Sequence, residues 1–438
     1  MRSVNLITIS IFLSFIGLIL FYMAYVFKKD DKSYLELLYD FFTDPSYNVS
    51  ADKFAGGNGS KDDPYLIKNP GQLDKIRNHL DYHFKLISDI NMEIFCKRKK
   101  WEPIGKNNYN SFTGSFDGNN FKIINLTIED NNKKNVGFFG YSGNVEKKSV
   151  IKNLILENLT VIGANRCGGL VGNNYGLIKN CEVRGKVSGK NTIGGLVGNT
   201  WGHINNSKFY GEVNGGDKIG GLIGRTDQGV NISECYVNGE IKGGNTVGGL
   251  IGENSGAIEN AIVERCYTKV NIEEGLGGVG GLVGINHGII RECFTECKIE
   301  AGISVGGLVG GNEKIIKNCY SNGEVSGINN IGGLVGWDSG NYLNLNADSI
   351  INCYTSVNIS SDEKSGNLVG RTDRNIKSSY FLKEFNYQGD YLEKGNAVNA
   401  YDMMQKQTFI DWDFENIWII DNGREYPNLR WFHEYYYN

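Results

Sequence analysis

The sequence predicts an all-β protein, a single-stranded parallel β-helix (solenoid) with an N-terminal transmembrane helix. Three observations predict it. A glycine-flanked apolar hexapeptide, IGGLVG, recurs along the chain; a second β-branched element follows each copy; and the chain begins with a long uncharged apolar stretch.

The repeat is the main signal. Glycine pairs begin at Gly168, Gly194, Gly220, Gly248, Gly280, Gly306 and Gly332, at spacings of 26, 26, 28, 32, 26 and 26 residues. Degenerate copies flank them, VGFFG at Val136 to Gly140 and SGNLVG at Ser365 to Gly370. Each block is followed by a segment such as LIKNCEVRGKV (Leu177 to Val187) or IIKNCYSNGEV (Ile315 to Val325). Short β-branched runs between Gly/Asn turns at a fixed period are the mark of stacked strands. No stretch inside the repeat sustains the 3.6-residue apolar period of a helix.

Cys181, Val183 and Val187 share a parity of two, so one face of their strand points inward. Ile178 has the opposite parity, so the chain must bend between Ile178 and Cys181. Asn180 is the natural corner, because Asn tolerates left-handed backbone. A single rung cannot bury its apolar face, but rungs stacked about 4.8 Å apart can, and roughly nine would make a rod about 40–45 Å long. Gly168, Gly169, Gly194 and Gly195 are accordingly read as structural.

The N-terminal stretch from Asn5 to Phe27 has no charged residue. At about 1.5 Å rise per residue it can cross a hydrocarbon core of roughly 30 Å. It is longer than the apolar region of a secretory signal and lacks a clear small-residue cleavage site, which favours an uncleaved anchor over a cleaved signal. Lys28, Lys29 and Lys32 follow it; by the positive-inside rule they would place the C-terminal side in the cytoplasm.

The expected organisation is an anchor or uncleaved signal over 1–27, a juxtamembrane stalk over 28–53, a lead-in and cap over 54–130, repeats over 131–381 and a C-terminal cap over 382–438. In the lead-in, Asn69 is a plausible helix cap with Pro70 at the first helical position, and Leu73, Ile76 and Leu80 lie along one face. Strand-like FKLISDI (Phe84 to Ile90) follows. The aromatic-rich segment from Phe409 to Trp431 suits a cap over the last rung, whose open edge would otherwise be exposed.

Composition and motifs exclude several function classes. With 59 glycines and only 5 prolines, without a three-residue period, the chain is not collagen-like. A net charge of −4 without a basic stripe gives no support for nucleic acid as a partner. Cys181, Cys235, Cys266, Cys293, Cys319 and Cys353 fall in one repeat position, shared with Ser207, Ser379 and Leu154. A column that accepts Cys, Ser and Leu is first a space requirement, so a buried thiol ladder is expected ahead of disulfides or metal. GLGGVGGLVG (Gly275 to Gly284) mimics a nucleotide loop, but the next segment is another rung, not a helix.

His79 and His83 are four apart without a third ligand; His203 and His287 read as solvated turn residues, with Tyr175 at their repeat position. Asp217, Asp227, Asp338 and Asp373 share no column, so no carboxylate pair of the kind a glycosidase needs can be placed. No cofactor, metal or catalytic residue is expected. Lys186, Glu212, Glu240 and Glu324, just before the inward valine or isoleucine, read as a solvated face.

The IGGLVG series resembles the GLUG motif of bacterial surface proteins, which include the non-catalytic β-helix region of IgA-specific zinc metallopeptidases and related adhesins. GGNGSKDDPYLIKNPGQLDKI, HFKLISDIN, and WEPIG with FTGSFDGNNFKIINLTI resemble the lead-in of such proteins, and WDFENIWIIDNGREYPNLRW their closing segment. The peptidases carry their chemistry in a separate HExxH zinc domain that this chain lacks, so protease activity is not implied. What the resemblance implies is architecture and an exterior address, with the rod anchored in the cell membrane by a single pass.

The expected function is a structural or adhesin-like binding module without catalysis, displayed to a surface protein or glycan; the alternative is a polysaccharide-degrading β-helix enzyme. Binding residues are expected where the period slips, on loops carrying Glu273 and Glu274 and, after Gly336, Trp337 and Tyr342.

Overall fold

The computed structural model describes residues 53–256, 261–340, 348–361, 363, 365–384 and 394–436. The apolar segment, nearly all of the stalk and Tyr342 lie outside the described residues. Among the described residues no helix is long and apolar enough to cross a membrane.

The chain winds as a solenoid of parallel strands. One coil shows the plan. Asn191–Gly194 lies in one sheet, Val197–Thr200 in a second and Ile204–Asn205 in a third, and Lys208–Asn214 returns to the first. The next coil repeats the path one step along, with Ile193 beside Ile219, Val197 beside Ile223, Ile204 beside Ile232 and Val213 beside Ile241, every pairing parallel. Among the described residues, these three sheets contain twenty, nine and twelve strands.

The IGGLVG block is the seat of this stacking. Leu196 N donates to Leu222 O at 3.0 Å and Gly195 N to Gly221 O at 3.0 Å, so the corner hydrogen-bonds to its own copy. A Cβ on Gly194 would overlap the carbonyl oxygens of Val197 and Leu222; one on Gly195 would overlap that of Gly221 and the Phe209 ring. Gly168 and Gly169 are confined in the same way. Ile193, Leu196, Val197, Ile204, Phe209 and Val213 of this coil are all buried, giving each coil its layer of one continuous core.

The predicted bend occurs where Asn180 was expected to allow it, at φ 54°. Equivalent corners are Asn153, Asn206, Glu234, Arg265, Glu292, Asn318, Asn352 and Ser378, all at positive φ. A second column in the left-handed region precedes the glycine block and includes Thr192 at φ 62° and Thr246 at φ 57°. β-Branched residues pay a steric penalty there. The register places Gly278 opposite Thr246.

The lead-in helix runs Pro70–Lys75, continued by a 3₁₀ turn over Ile76–Asn78, and the Asn69 side chain accepts from Gln72 N at 2.9 Å. A second short helix, Glu93–Arg98, was not anticipated. Of the C-terminal segment, Asn396–Val398 pairs with Tyr380–Leu382 of the last coil, whereas the aromatic-rich stretch expected over that coil runs back along the flank of the solenoid. Trp431 Nε1 donates to Glu292 O at 2.9 Å, and Phe432 lies 5.0 Å edge-on from Tyr267.

The reason is an aromatic column. Tyr236, Tyr267, Phe294, Tyr320, Tyr354 and Tyr380 are in register. Neighbouring rings from Tyr236 to Tyr354 stack at 4.2–4.9 Å. Trp412, Trp418, Trp431 and Phe432 cover this stripe. Tyr354 Oη donates to Pro427 O at 2.7 Å and Tyr320 Oη to Asn428 Oδ1 at 3.0 Å, so the polar tips are satisfied under the cover.

Candidate binding surface

The outer face of the largest sheet carries a trough. Its floor is the column Gly211, Gly239, Val270, Cys297 and Gly323. At Gly211 and Gly323, φ is 143° and 124°, and a side chain there would collide with the carbonyl of the preceding coil. Val270 and Cys297 are buried, with Cys297 Sγ donating to Gly307 O at 3.4 Å. With little rising from the floor, two polar columns form the banks. One is Asn238, Lys269, Glu296 and Asn322; the other is Glu212, Glu240, Asn271 and Lys298. The open space between them is about 730 Å³.

Charge on this face is largely balanced within it. Lys186 Nζ lies 2.7 Å from Glu212 and Lys269 Nζ 3.0 Å from Glu296, each pair bridging adjacent coils. The Glu296 bond raises the Lys269 ammonium above its usual range. Lys186, Glu212, Glu240 and Glu324 are all exposed, as the solvated-face reading expects.

The residues expected on slip-point loops are placed differently. Glu273 and Glu274 belong to the continuous strand Tyr267–Gly280, whose only irregularity in pairing is a bulge between Glu273 and Gly275. Glu273 is bound to Lys242 at 2.9 Å, which holds its carboxyl below the usual range; Glu274, at φ 66°, is exposed. The main insertion of that coil lies instead at the corner between Asn254 and Ile262, and residues 257–260 are outside the described set. Trp337 belongs to strand Val335–Asp338, is half-buried, and lies across Gly311 of the preceding coil, so it is not an exposed loop residue. It borders a cleft with Asp338 and Arg371.

The corners from Thr226 to Asn231, from Asn254 to Ile262 and from Asp338 to Asp348, where the repeat lengthens most, all fall between the second and third sheets. Beneath them runs a buried polar ladder that sequence reasoning missed. Thr226 Oγ1 donates to Asn254 Oδ1 at 2.8 Å, Asn254 Nδ2 to Asn286 Oδ1 at 2.8 Å, Asn286 Nδ2 to Asn312 Oδ1 at 2.8 Å, and Asn312 Nδ2 to Asp338 Oδ1 at 2.7 Å. Asp338 therefore does share a column, with amides and hydroxyls. Asp227 and Asp373 also share one, next to it, but five coils apart; at about 4.8 Å per coil that is roughly 24 Å, too far for a pair acting on one glycosidic bond.

The cysteines form the expected buried column, and all nine are free thiols. The column is more than a space requirement. Cys235 N donates to Cys266 Sγ at 3.4 Å, Cys266 N to Cys293 Sγ at 3.4 Å, and Cys293 N to Cys319 Sγ at 3.5 Å; Ser207 and Ser379 accept in the same way from Cys181 and Cys353. Burial pushes the thiols of Cys235, Cys266, Cys293 and Cys319 well above the ordinary range. Among the described residues no cluster of three or more His, Cys, Asp or Glu could hold a metal.

The histidines separate. His287 is in the column of Tyr175, but His203 is opposite Leu177. His203 Nδ1 accepts from Asn231 N at 3.0 Å, whereas His287 Nδ1 is 2.9 Å from Glu313 Oε2, which raises its pKa. His83 Nδ1 is 2.7 Å from Ser115 Oγ, and the His79 ring packs among Phe54, Tyr65 and Tyr82.

Comparison with known proteins agrees with the repeat. A provisionally named Gly-rich membrane protein of Evansella cellulosilytica is 40% identical over 137 residues, covering 30% of this chain and 15% of that protein. Halomucin of Haloquadratum walsbyi is 34% identical over 139 residues, covering 30% of this chain and 2% of its own. The chain thus spans only a small part of the length of these relatives. A crystal structure provisionally described as an immunoglobulin A1 protease, from Bacteroides ovatus, superposes with a TM-score of 0.44 at 18% identity over 86% of this chain and 95% of that one. The chain carries the GLUG motif, matched over residues 301–326.

Proposed function

We propose that the protein is a membrane-anchored solenoid displayed outside the cell, acting as a structural or adhesin-like binding module without catalysis. The observation that carries this reading is the trough. It is open and banked by polar and charged side chains, and at least two of its carboxylates are engaged by lysines of the neighbouring coil. Such a surface suits contact with an extended glycan or protein better than acid–base chemistry, which needs a carboxyl free to exchange a proton with substrate. The uncharged N-terminal segment supplies the anchor, and the name of the Gly-rich membrane relative supports a membrane address.

Two measurements test the proposal. Protease or an impermeant label applied to intact cells should reach the C-terminus; protection of the C-terminus in intact cells, with access only after lysis, overturns the exterior placement. Purified full-length protein should be retained by cell surfaces or immobilised glycans and release no reducing sugar. Glycan cleavage lost on replacing Glu240 or Glu296 would instead establish the polysaccharide-degrading enzyme.

A further inference from the structure

Among the described residues, the cover reaches Phe294 through Trp431 and Phe432, and Tyr267 through Phe432. One coil further, Tyr236 keeps its stack on Tyr267 at 4.2 Å, and the next position in register is Lys208. At this step the structure contains a partly enclosed cavity of about 160 Å³, walled by Tyr236, Tyr267 and Trp431 and rimmed by Lys208, Glu234 and Arg265.

We infer that this cavity is a binding subsite for a single sugar ring of a surface glycan, an inference that rests on the binding-module reading. Sites for drug-sized molecules run from about 300 Å³ upward, so this one has room for one ring and no more. Tyr267 is stacked on both faces, by Tyr236 at 4.2 Å and Phe294 at 4.8 Å, so the half-buried Trp431 ring is the aromatic wall against which the C–H face of a pyranose packs. Its rim offers ammonium and guanidinium donors opposite a carboxylate acceptor, and hydroxyls need both. The rim is also differently committed. Arg265 is tied to Glu292 at 3.0 Å, which fixes its guanidinium, while Glu234 is exposed and Lys208 is half-exposed. A fixed donor, two adaptable groups and an aromatic wall orient a small polyol without a charge of its own. Trp431 donates its indole N–H to Glu292 O, so the ring is held as a rigid wall.

The test uses the full-length chain in detergent micelles and the methyl glycosides of glucose, galactose and N-acetylglucosamine. Saturation-transfer NMR should show binding of at least one, and Lys208→Met and Glu234→Gln should each weaken it at least tenfold with an unchanged melting curve. Absence of transfer to all three, or transfer that survives both substitutions, overturns the subsite. The two readings fail separately. If wild-type protein is retained on cell surfaces and the variants are retained equally, the subsite is wrong and the binding module stands. If monosaccharide binding is lost in the variants but wild-type protein is not retained on any surface, the subsite stands and the module reading falls.

Discussion

Arg374 Nη1 lies 3.5 Å from Asp338 Oδ1, and both side chains are almost wholly buried, at 5% and 0% exposure. Asp338 also accepts from Asn312 at 2.7 Å and from Ser349 and Thr372 at 2.8 Å each, so the polar ladder ends on an ion pair. Arg374 Nη1 donates further to Lys314 O at 2.9 Å.

Breaking this pair from one side should be costly. Asp338→Ala leaves a buried guanidinium without its counter-charge and should destabilise by about 3–5 kcal/mol, because desolvation of the remaining charge is no longer offset. Asp338→Ala combined with Arg374→Met should recover a large part of the loss. Urea denaturation of the four proteins of this cycle measures it; purely additive losses would show that the two groups do not act as a pair.

The thiol column predicts a substitution hierarchy. Cys266→Ser preserves an acceptor for Cys235 N and should change stability little, as Ser207 and Ser379 already do this in the native column. Cys266→Ala leaves that N–H unsatisfied and should cost about 1–3 kcal/mol. Alkylation follows the same logic. In the folded protein at pH 8, iodoacetamide should modify the half-buried Cys96 first and leave Cys181, pushed up to about 12 by burial, intact until unfolding. Mass spectrometry of labelled peptides reads the order.

His287 and Glu313 predict a pH window. The imidazole pKa is raised, chiefly by its hydrogen bond to Glu313, so its contribution is full below about 6.5, the unfolded value, and is lost as pH rises through the folded one. The Glu313 carboxyl is lowered by the same bond, so its contribution is present above about 4.5 and fades as pH falls through its folded pKa. The pair is therefore most stabilising near pH 5–6. His287→Gln should lower the denaturation midpoint there and have little effect at pH 8.5. An NMR titration of His287 should give a midpoint above the ordinary histidine value.

Two backbone substitutions should act in opposite directions. Gly195→Ala places a Cβ against the Gly221 carbonyl and should destabilise by about 3 kcal/mol. Thr192→Asn relieves a β-branched residue held at φ 62° and should stabilise by about 0.5–1 kcal/mol. Asn330, at φ 56°, already stands in that column. Thermal unfolding of both variants checks the contrast.

The repeating coil was legible because its cause is local. Glycine where a Cβ cannot fit, Asn180 at a left-handed corner and alternating Val183 and Val187 are requirements of one rung, written again in every copy. The cysteine position was legible for the same reason, although its hydrogen-bonding role was not, because that role belongs to the contact between coils. The aromatic stripe did leave a trace, since Tyr236, Tyr267, Phe294, Tyr320 and Tyr354 each follow a ladder cysteine and Tyr380 follows Ser379. Reading that column would have shown which flank the C-terminal tryptophans cover.

By itself, then, the sequence determined the solenoid and its parallel stacking, because a periodic chain repeats the same local sterics in every rung. The tertiary structure alone decided where the C-terminal segment lies, that Glu273 is an ion-paired strand residue, that Asp338 is locked to Arg374, and where a trough and a small aromatic cavity open. Those depend on side chains meeting across coils and between the solenoid and a non-repeating segment, and no period in the sequence records such meetings.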